Sequence, residues 1–335
     1  FILIITHARG AGQSQAALLE DIFMRRKKRK KNIIYLFFII ILACILTLIC
    51  YEGKIFDSNK PNDNDTTNNP KPDNKTDKPT TKPSETKDPY LMYRKCLNFK
   101  LENGPRYIAY KENHESYDYE KVVNHVNIGL DKEFYSYIKD ADTSKGILLL
   151  MNKYLKLSEN YEPDDLEEIS SKYFINGNTA VRKMRKEAKE AFEMLSEASI
   201  ANGTPVYGQS AYRPYSMQEN LYKSAVNNLG QKQADIDTAR PGHSEHQTGL
   251  TIDVSSTKGG NMLYFDKTKS FTWMNENAHK YGFILRYTKK LEDITGFMYE
   301  SWHYRYVGVK VATDMHDNYP ELSYDEYYYK FIDNK

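Results

Sequence analysis

Cysteine and net charge are both scarce in this sequence. Three of its 335 residues are cysteines, and its formal net charge at pH 7 is +2. Cys44 and Cys50 lie within a long apolar run, so Cys96 has no partner outside that run with which to form a disulfide. A nearly balanced charge argues against nucleic-acid binding, which normally requires a strongly basic surface.

Two further absences narrow the class of fold. The sequence has no glycine-rich phosphate-binding loop and no internal repeat. A nucleotide-binding α/β domain and a repeat protein are therefore disfavoured. The length and a hydrophobic content of 40% instead fit one sizeable globular domain joined to non-globular segments.

The basic residues are concentrated beside the long apolar run. The sequence RRKKRKK occupies 25–31, and the apolar segment extends over 33–51. A run of this length can cross a bilayer as a helix, and a basic flank stays on the cytoplasmic side. We therefore predict a cytoplasmic N-terminus at 1–32 and a retained transmembrane signal-anchor, with a long cleaved signal peptide as the alternative. Because the first methionine is Met24, residues 1–23 are not expected in the natural protein.

Composition changes twice after the predicted anchor. Residues 52–88 are mostly Asn, Asp, Lys, Thr and Pro. This segment cannot bury enough apolar surface to fold, so it is predicted to be an extended, disordered linker. Aromatic and aliphatic residues then return, and 89–142 is predicted to be a small lead-in region. The remainder, 143–335, is predicted to be the main globular domain.

Hydrophobic spacing predicts helices mixed with short strands in the main domain. A helical spacing relates six apolar residues, namely Val181, Met184, Ala188, Phe192, Leu195 and Ala198. The segments VYGQSAY and LTIDV are typical of strands, and SMQENLYKSAVNNLG is typical of a helix that ends at Gly230. The predicted fold class is therefore α+β, with a small, mainly antiparallel sheet flanked by helices. The tyrosine-rich end, SYDEYYYKFI, is predicted to be a terminal amphipathic helix rather than a sugar-binding platform.

Four side chains of the metal-ligand type occur in two short segments. His246 and Asp253 lie in SEHQTGLTID, and Glu300 and His303 lie in ESWHYRYVG. In the predicted strand LTIDV, Asp253 projects from the face opposite to the apolar side chains. A hydrolytic zinc site needs three protein ligands, an open position for water and a nearby base. Glu300 and His303 can face one point only if the chain is locally turned there, with Trp302 pointing away into packing.

Three motifs together carry a family resemblance. SAYRPYSMQ, PGHSEHQTGLTID and ESWHYRYVG, in this order and at similar separations, resemble the motifs of the VanY family of zinc carboxypeptidases. Members of that family trim D-amino acids from bacterial peptidoglycan stem peptides and share the fold of D,D-dipeptidases and the hedgehog signalling domain. The resemblance implies one zinc ion per catalytic domain, bound by His246, Asp253 and His303. It also implies Glu300 as the catalytic base and Arg213 as the stabiliser of the oxyanion.

A carboxypeptidase must also hold the free terminal carboxylate of its substrate. Ser210, Tyr212, Gln218 and Ser244 lie in the motif regions and can supply hydrogen bonds, so we predict them as substrate-binding residues. His243 is interpreted as a pocket or loop residue, because the three implied ligands already fill the protein positions of a catalytic zinc site.

The sequence thus predicts a membrane-anchored, extracellular zinc D-alanyl-D-alanine carboxypeptidase in the cell-wall space of a bacterium. Its expected partners are a peptidoglycan stem peptide and, through one N-terminal helix, the membrane. The catalytic domain is expected to be monomeric. Three alternatives stay open: an L,D-carboxypeptidase that acts on tetrapeptides, a peptidoglycan endopeptidase, and a non-catalytic module that binds wall peptides. Retention of Glu300 and the full ligand set argues against the last of these.

Overall fold

The computed structural model describes residues 88–175, 181–260 and 262–333. The predicted anchor at 33–51, and the predicted linker up to residue 87, lie outside these ranges. Among the helices within them, none combines the length and the hydrophobicity needed to cross a bilayer. The described residues therefore cover the predicted lead-in region and most of the predicted main domain.

In the described part of the chain, the strands form one four-stranded sheet and two small ladders. In chain order they are β1 (Lys139–Asp140), β2 (Leu155–Lys156), β3 (Leu166–Glu168), β4 (Lys183–Arg185), β5 (Tyr207–Ser210), β6 (Thr251–Ser255), β7 (Phe283–Tyr287) and β8 (Glu300–Tyr306). The large sheet has the order β5-β6-β8-β7, and each neighbouring pair is antiparallel. β1 pairs with β2 in parallel, and β3 pairs with β4 antiparallel.

The described residues also form helices. They are α1 (Gly104–Asn113), α2 (Tyr119–Ile128), α3 (Lys186–Ala201), α4 (Tyr215–Leu229), α5 (Gln231–Asp237), α6 (Lys269–Asn277), α7 (Glu292–Thr295), α8 (Val309–Asn318) and α9 (Tyr324–Phe331). This combination of helices with a small antiparallel sheet confirms the predicted α+β class.

The main core contains side chains of the large sheet and of α3. Ile252 and Val254 of β6 are fully buried there, together with Phe192 and Leu195 of α3. Because side chains alternate along a strand, burial of one face of β6 leaves Asp253 on the other face. The predicted strand and the predicted orientation of Asp253 are both confirmed.

The helix predicted from Val181 onward begins later than expected. α3 starts at Lys186, because the residues just before it form β4 and pair with β3. Val181 and Met184 still lie in the same buried core. The apolar spacing therefore identified the buried positions but not the change from strand to helix. The next predicted helix is confirmed as α4, which ends at Gly230 with a φ of 78°.

The C-terminal helix α9 packs its rings on the domain, as predicted. It begins with a capping box, in which the side chains of Ser323 and Glu326 each accept a hydrogen bond from the other's backbone N–H. Tyr324, Tyr327 and Tyr328 are buried in a cluster that also includes residues of α8. Most of this helix's aromatic surface is therefore used in packing.

The predicted lead-in region contains helices α1 and α2. They share a small core that includes Tyr107, Val122 and Val126. This core is joined to α9 by a buried pair, since His125 Nε2 lies 3.2 Å from Glu326 Oε1. The boundary between a lead-in region and a catalytic domain at residues 142 and 143 stays a prediction.

Candidate active site

His246 lies in a short 3-10 turn whose geometry fixes the direction of its ring. The turn Glu245–Thr248 is capped by the Ser244 side chain and ends at Gly249, which has a φ of 68°. His246 Nδ1 lies 2.6 Å from the carbonyl oxygen of Ala211. Because a carbonyl oxygen only accepts hydrogen bonds, Nδ1 carries the proton and Nε2 is left with a free lone pair. That Nε2 is buried and has no hydrogen-bond partner among the described residues.

Asp253 connects the two histidines from the adjacent strand. Its Oδ2 lies 3.3 Å from His246 Nε2, and its Oδ1 lies 3.3 Å from His303 Nδ1. Within the described ranges, Oδ1 is buried and has no hydrogen-bond partner. The three predicted ligands therefore present nitrogen and oxygen atoms to a common point.

His303 and Glu300 face the same side because β8 is irregular. Tyr287 of β7 pairs with Glu300, and Leu285 pairs with Tyr304. An advance of two residues along β7 therefore corresponds to an advance of four residues along β8. Extra residues of this kind form a bulge that redirects side chains, and bulges are frequent at active sites. Glu300 Oε2 consequently lies 3.3 Å from His303 Nδ1. The predicted local turn is thus a bulge within a strand.

Trp302 is placed differently from its prediction. It is half-buried and lines the same cavity as Glu300 and His303, instead of pointing away into packing. The bulge is the physical reason, since it breaks the simple alternation on which the prediction depended.

The spacing of the potential ligand atoms is compatible with a zinc ion. Two ligands that each lie about 2.0–2.1 Å from a tetrahedral zinc ion are about 3.3–3.4 Å apart. Asp253 Oδ2 lies 3.3 Å from His246 Nε2, Asp253 Oδ1 lies 3.3 Å from His303 Nδ1, and one ligand atom from each residue lies within 4.8 Å of the other two. Burial, together with nearby Arg213, lowers the pKa of His246 to about 4, so its imidazole is neutral, as metal binding requires.

The charges around His303 also favour a cation. Burial would lower the pKa of His303, but the nearby carboxylates of Asp253, Glu245 and Glu300 outweigh burial and raise it well above its usual range. Burial raises the pKa of Glu300, although its hydrogen bond with His303 acts in the opposite direction. Positive charge bound among these carboxylates would therefore be stabilised.

Glu245 is a site residue that the sequence reasoning missed. Its side chain is fully buried, and Oε2 lies 3.1 Å from His303 Nε2. Burial alone would raise the pKa of Glu245, but Arg286 and Arg305 outweigh it and hold that pKa well below its usual range. The available signal was a carboxylate directly before His246 in the motif. Its two arginine partners are distant in sequence and could not be paired with it by inspection.

Arg213 reaches the site from the segment between β5 and α4. Its Nη2 lies 3.7 Å from Asp253 Oδ2, and its Nη1 donates a 2.8 Å hydrogen bond to Gln218 Oε1. Gln218 is in turn fixed, because its Nε2 donates to the carbonyl oxygen of Ala239 at 2.8 Å. The guanidinium is therefore held beside the ligand set by a buried amide.

The site forms one cavity of about 180 Å³. Its lining includes Arg213, Glu245, His246, Asp253, Glu300, Trp302 and His303, but not Arg286 or Arg305. Among the predicted substrate-binding residues, Gln218 and Ser244 line it. Ser210 and Tyr212 are not among its lining residues. Ser210 pairs with Asp253 across the sheet, and Tyr212 is a buried residue beside Arg213. His243 bonds to the carbonyl oxygen of Asn152 and is not part of the ligand set.

A second group of potential ligands contains His279, His316 and Asp317. The two imidazole rings stack at 3.7 Å with an interplanar angle of 14°. Lone pairs of imidazole lie in the ring plane, so nearly parallel rings direct them side by side and not toward one ion. The side chains of His316 and Asp317 are also 44% and 55% exposed. We therefore assign no metal to this group.

Comparison with known proteins places the site in a family. The family model described as "VanY: D-alanyl-D-alanine carboxypeptidase" matches residues 181–309. The putative carboxypeptidase YodJ of Bacillus subtilis is 38% identical over 209 residues, which cover 60% of this chain and 76% of that protein. A D-alanyl-D-alanine carboxypeptidase of Enterococcus faecium is 30% identical over 225 residues, covering 65% of this chain and 70% of that protein. The chain belongs to the VanY family.

A solved structure extends the comparison to the fold of the VanY domain. The LdcB LD-carboxypeptidase is 38% identical to this chain, covers 59% of it, and superposes with a TM-score of 0.53 over 92% of its own length. The resemblance inferred from three motifs is thus confirmed, and so is the prediction that the chain is a carboxypeptidase, a hydrolase. Every predicted ligand and predicted catalytic residue lies within the matched range.

Proposed function

We propose that this VanY-family protein is a zinc-dependent D-alanyl-D-alanine carboxypeptidase that removes the terminal D-Ala from peptidoglycan stem peptides. One observation carries the proposal: three ligand atoms, a carboxylate and a guanidinium converge on one cavity of about 180 Å³. A cavity of this size suits the end of a peptide better than a long polymer. The relative from Enterococcus faecium bears the same activity in its name.

His246, Asp253 and His303 would hold the metal. When bound, zinc lowers the pKa of a coordinated water toward neutrality and polarises the scissile carbonyl. The protein's own contribution is to fix the ligands. His246 is oriented by Ala211 and His303 by Glu245, so each ring has one nitrogen committed to the protein and one directed to the metal position.

Glu300 is the proposed general base. Its carboxylate lies beside a ligand nitrogen and lines the cavity, where it can accept a proton from the attacking water. The same carboxyl group can then give that proton to the departing amine of D-Ala. Both transfers require that the carboxyl group of Glu300 be free and not a metal ligand.

Arg213 is the proposed stabiliser of the oxyanion. Negative charge develops on the former carbonyl oxygen during attack, and a preorganised guanidinium lowers the energy of that state. Gln218 holds Arg213, and the Arg213 guanidinium needs no large movement to face the cavity. We therefore assign Gln218 to positioning Arg213, and retain Ser244 as the candidate contact for the terminal carboxylate.

L,D-carboxypeptidase activity is the second candidate function. It is favoured by the 38% identity with the LdcB LD-carboxypeptidase, which exceeds the 30% identity with the D-alanyl-D-alanine carboxypeptidase of Enterococcus faecium. The same metal, base and guanidinium can hydrolyse either bond, so the walls of the cavity decide between them.

We also propose that the catalytic domain works outside the cell, anchored by the apolar segment at 33–51 and tethered by 52–88. The basic flank at 25–31 and the polar, proline-containing composition of the tether support this arrangement. A protease added to intact cells should release an active fragment, and an untouched chain would contradict the proposed orientation.

The specificity test supplies stem pentapeptide and stem tetrapeptide separately to the purified full chain in detergent. Mass spectrometry should show loss of one alanine from the pentapeptide. Loss from the tetrapeptide alone would establish the L,D activity. Cleavage of neither peptide, by protein that holds zinc, would contradict both carboxypeptidase assignments.

A further inference from the structure

Glu245 orients His303 but contacts neither the attacking water nor the scissile bond in the proposed mechanism, and it lies among buried charged groups. Its carboxylate is fully buried and accepts three hydrogen bonds. Oε2 accepts from His303 Nε2 at 3.1 Å. Oε1 accepts from Arg286 Nε at 2.9 Å and from Arg305 Nη1 at 3.1 Å.

The contact with Glu245 determines which nitrogen of His303 is free. An ionised carboxylate only accepts hydrogen bonds, so the proton must lie on His303 Nε2. In the neutral ring that binds a metal, Nδ1 then carries the lone pair, and Nδ1 is the atom that faces Asp253 at 3.3 Å. Without Glu245, either tautomer would be available and the ring could turn about its side-chain bonds.

Glu245 is itself held in place by buried charges. Arg286 Nη1 lies 2.8 Å from Asp325 Oδ2 on the C-terminal helix α9, and both side chains are only 1% exposed. Arg305 Nη2 donates to the carbonyl oxygen of Leu149 at 2.5 Å. A continuous chain of contacts therefore runs from α9 through Arg286 and Glu245 to the metal-facing histidine.

Packing alone does not explain such a buried cluster of charges, because removing charged groups from water has a large desolvation penalty. Buried ion pairs often contribute no more stability than well-packed apolar residues of similar volume, whereas removing one partner is strongly destabilising. A carboxylate on the second nitrogen of a metal-binding histidine, by contrast, fixes the ring and raises its basicity as a ligand. The position of Glu245 behind His303 fits that role.

We propose that Glu245 is a positioning residue for the metal, and that Arg286 and Asp325 extend its support to the C-terminal helix. This proposal rests on the proposed function, because it takes His303 as a zinc ligand. It goes further by making α9, which contributes no residue to the cavity lining, part of the apparatus that sets zinc affinity.

The test measures the dissociation constant for zinc by competition with a chelator, using the full-length chain. Glu245→Gln should weaken zinc binding about 10- to 100-fold, the usual effect of losing such a partner. Glu245→Asp restores the charge but is one methylene shorter, so it should not restore the affinity. Circular dichroism and a thermal melt establish that each variant is folded before its affinity is compared.

Glu326→Gln is the matched control. Glu326 is a buried carboxylate that also contacts a histidine, since its Oε1 lies 3.2 Å from His125 Nε2. Glutamine preserves the capping box of α9. This variant should have a lowered melting temperature and an unchanged zinc affinity, which separates general destabilisation from positioning of the metal ligand.

Asp325→Asn provides a second route if Glu245→Gln does not fold. It leaves every residue around the metal position intact, and Asn152 Nδ2 can still donate to the remaining side-chain oxygen. The charge that holds Arg286 is lost, so zinc affinity should fall several-fold. Wild-type zinc affinity in the folded Glu245 variants, or in Asp325→Asn alone, would overturn the proposal. If the wild-type chain itself binds no zinc, the proposed function fails instead, and the two failures are distinguishable.

Discussion

Replacing Glu300 by glutamine should separate metal binding from turnover. Glutamine has the same shape as glutamate, so the cavity keeps its form, but its amide cannot take a proton from water. The Glu300 side chain is 15% exposed and its Oε2 lies 3.3 Å from His303 Nδ1, which leaves it free to face a bound water. A positioned general base contributes about 10²- to 10⁴-fold to rate. At about 1.36 kcal/mol per tenfold, the variant should lose about 2.7–5.4 kcal/mol of transition-state stabilisation.

Metal binding should respond differently to Glu300→Gln and to His303→Ala. The first variant retains all three proposed ligands, so dialysis against excess zinc should still give one zinc ion per chain. His303→Ala removes a ligand and should lose both the zinc and the activity. The assay combines elemental analysis of zinc with kcat/KM for release of D-Ala from stem pentapeptide.

Two results would refute this reasoning. Loss of zinc from Glu300→Gln would show that Glu300 is a ligand. More than about a tenth of wild-type kcat/KM in a zinc-loaded Glu300→Gln would show that another group acts as the base.

Three other perturbations probe separate parts of the account. Arg213→Ala should lower kcat about 10²- to 10³-fold, and a rise in KM alone would make Arg213 a substrate-binding residue. Gly249→Ala adds a Cβ 2.8 Å from Leu166 Cδ2 at a φ of +68°, so urea unfolding should show a loss of about 1–3 kcal/mol. Gly203→Ala, at a similar φ but with open space around the Cβ, should lose less, and equal losses would exclude crowding as the cause. Burial would raise the pKa of Glu326, but hydrogen bonds from His125 and Ser323 outweigh it and lower that pKa. The stability that Glu326 adds is therefore present above its unfolded pKa of about 4.3 and is lost as pH falls through the folded value, so the melting temperatures of wild type and Glu326→Gln should converge in acid. A difference in melting temperature that grows as pH falls would contradict a lowered pKa for Glu326 in the folded chain.

The convergence of His246, Asp253 and His303 could be predicted in part from the sequence, because some of its determinants are local. Alternation in LTIDV places Asp253 opposite the apolar face, and the strand β6 has that arrangement. Positions 300 and 303 cannot share a face in a regular strand, so the sequence required a local irregularity. Its form as a bulge depends on pairing with β7, which is distant in sequence, and this is why Trp302 was misplaced.

Features that depend on contacts between residues distant in sequence could not be predicted. Glu245 acquires its position from Arg286 and Arg305, and neither arginine can be paired with it by spacing alone. Tyr212 lies in a motif, but nearness in sequence to Arg213 does not bring its side chain to the cavity. The core positions before α3 were identified by their spacing, whereas the strand β4 was missed because its pairing partner β3 is a separate segment.

The central claim is that the site formed by His246, Asp253 and His303 is a zinc centre that hydrolyses terminal D-Ala. The most direct measurement follows D-Ala release from stem pentapeptide and stem tetrapeptide by the full chain after removal of metal with a chelator, and again after addition of zinc. We predict no release by the metal-free chain and recovered release when one equivalent of zinc is restored. Full activity without metal, or none with zinc bound, would contradict the account.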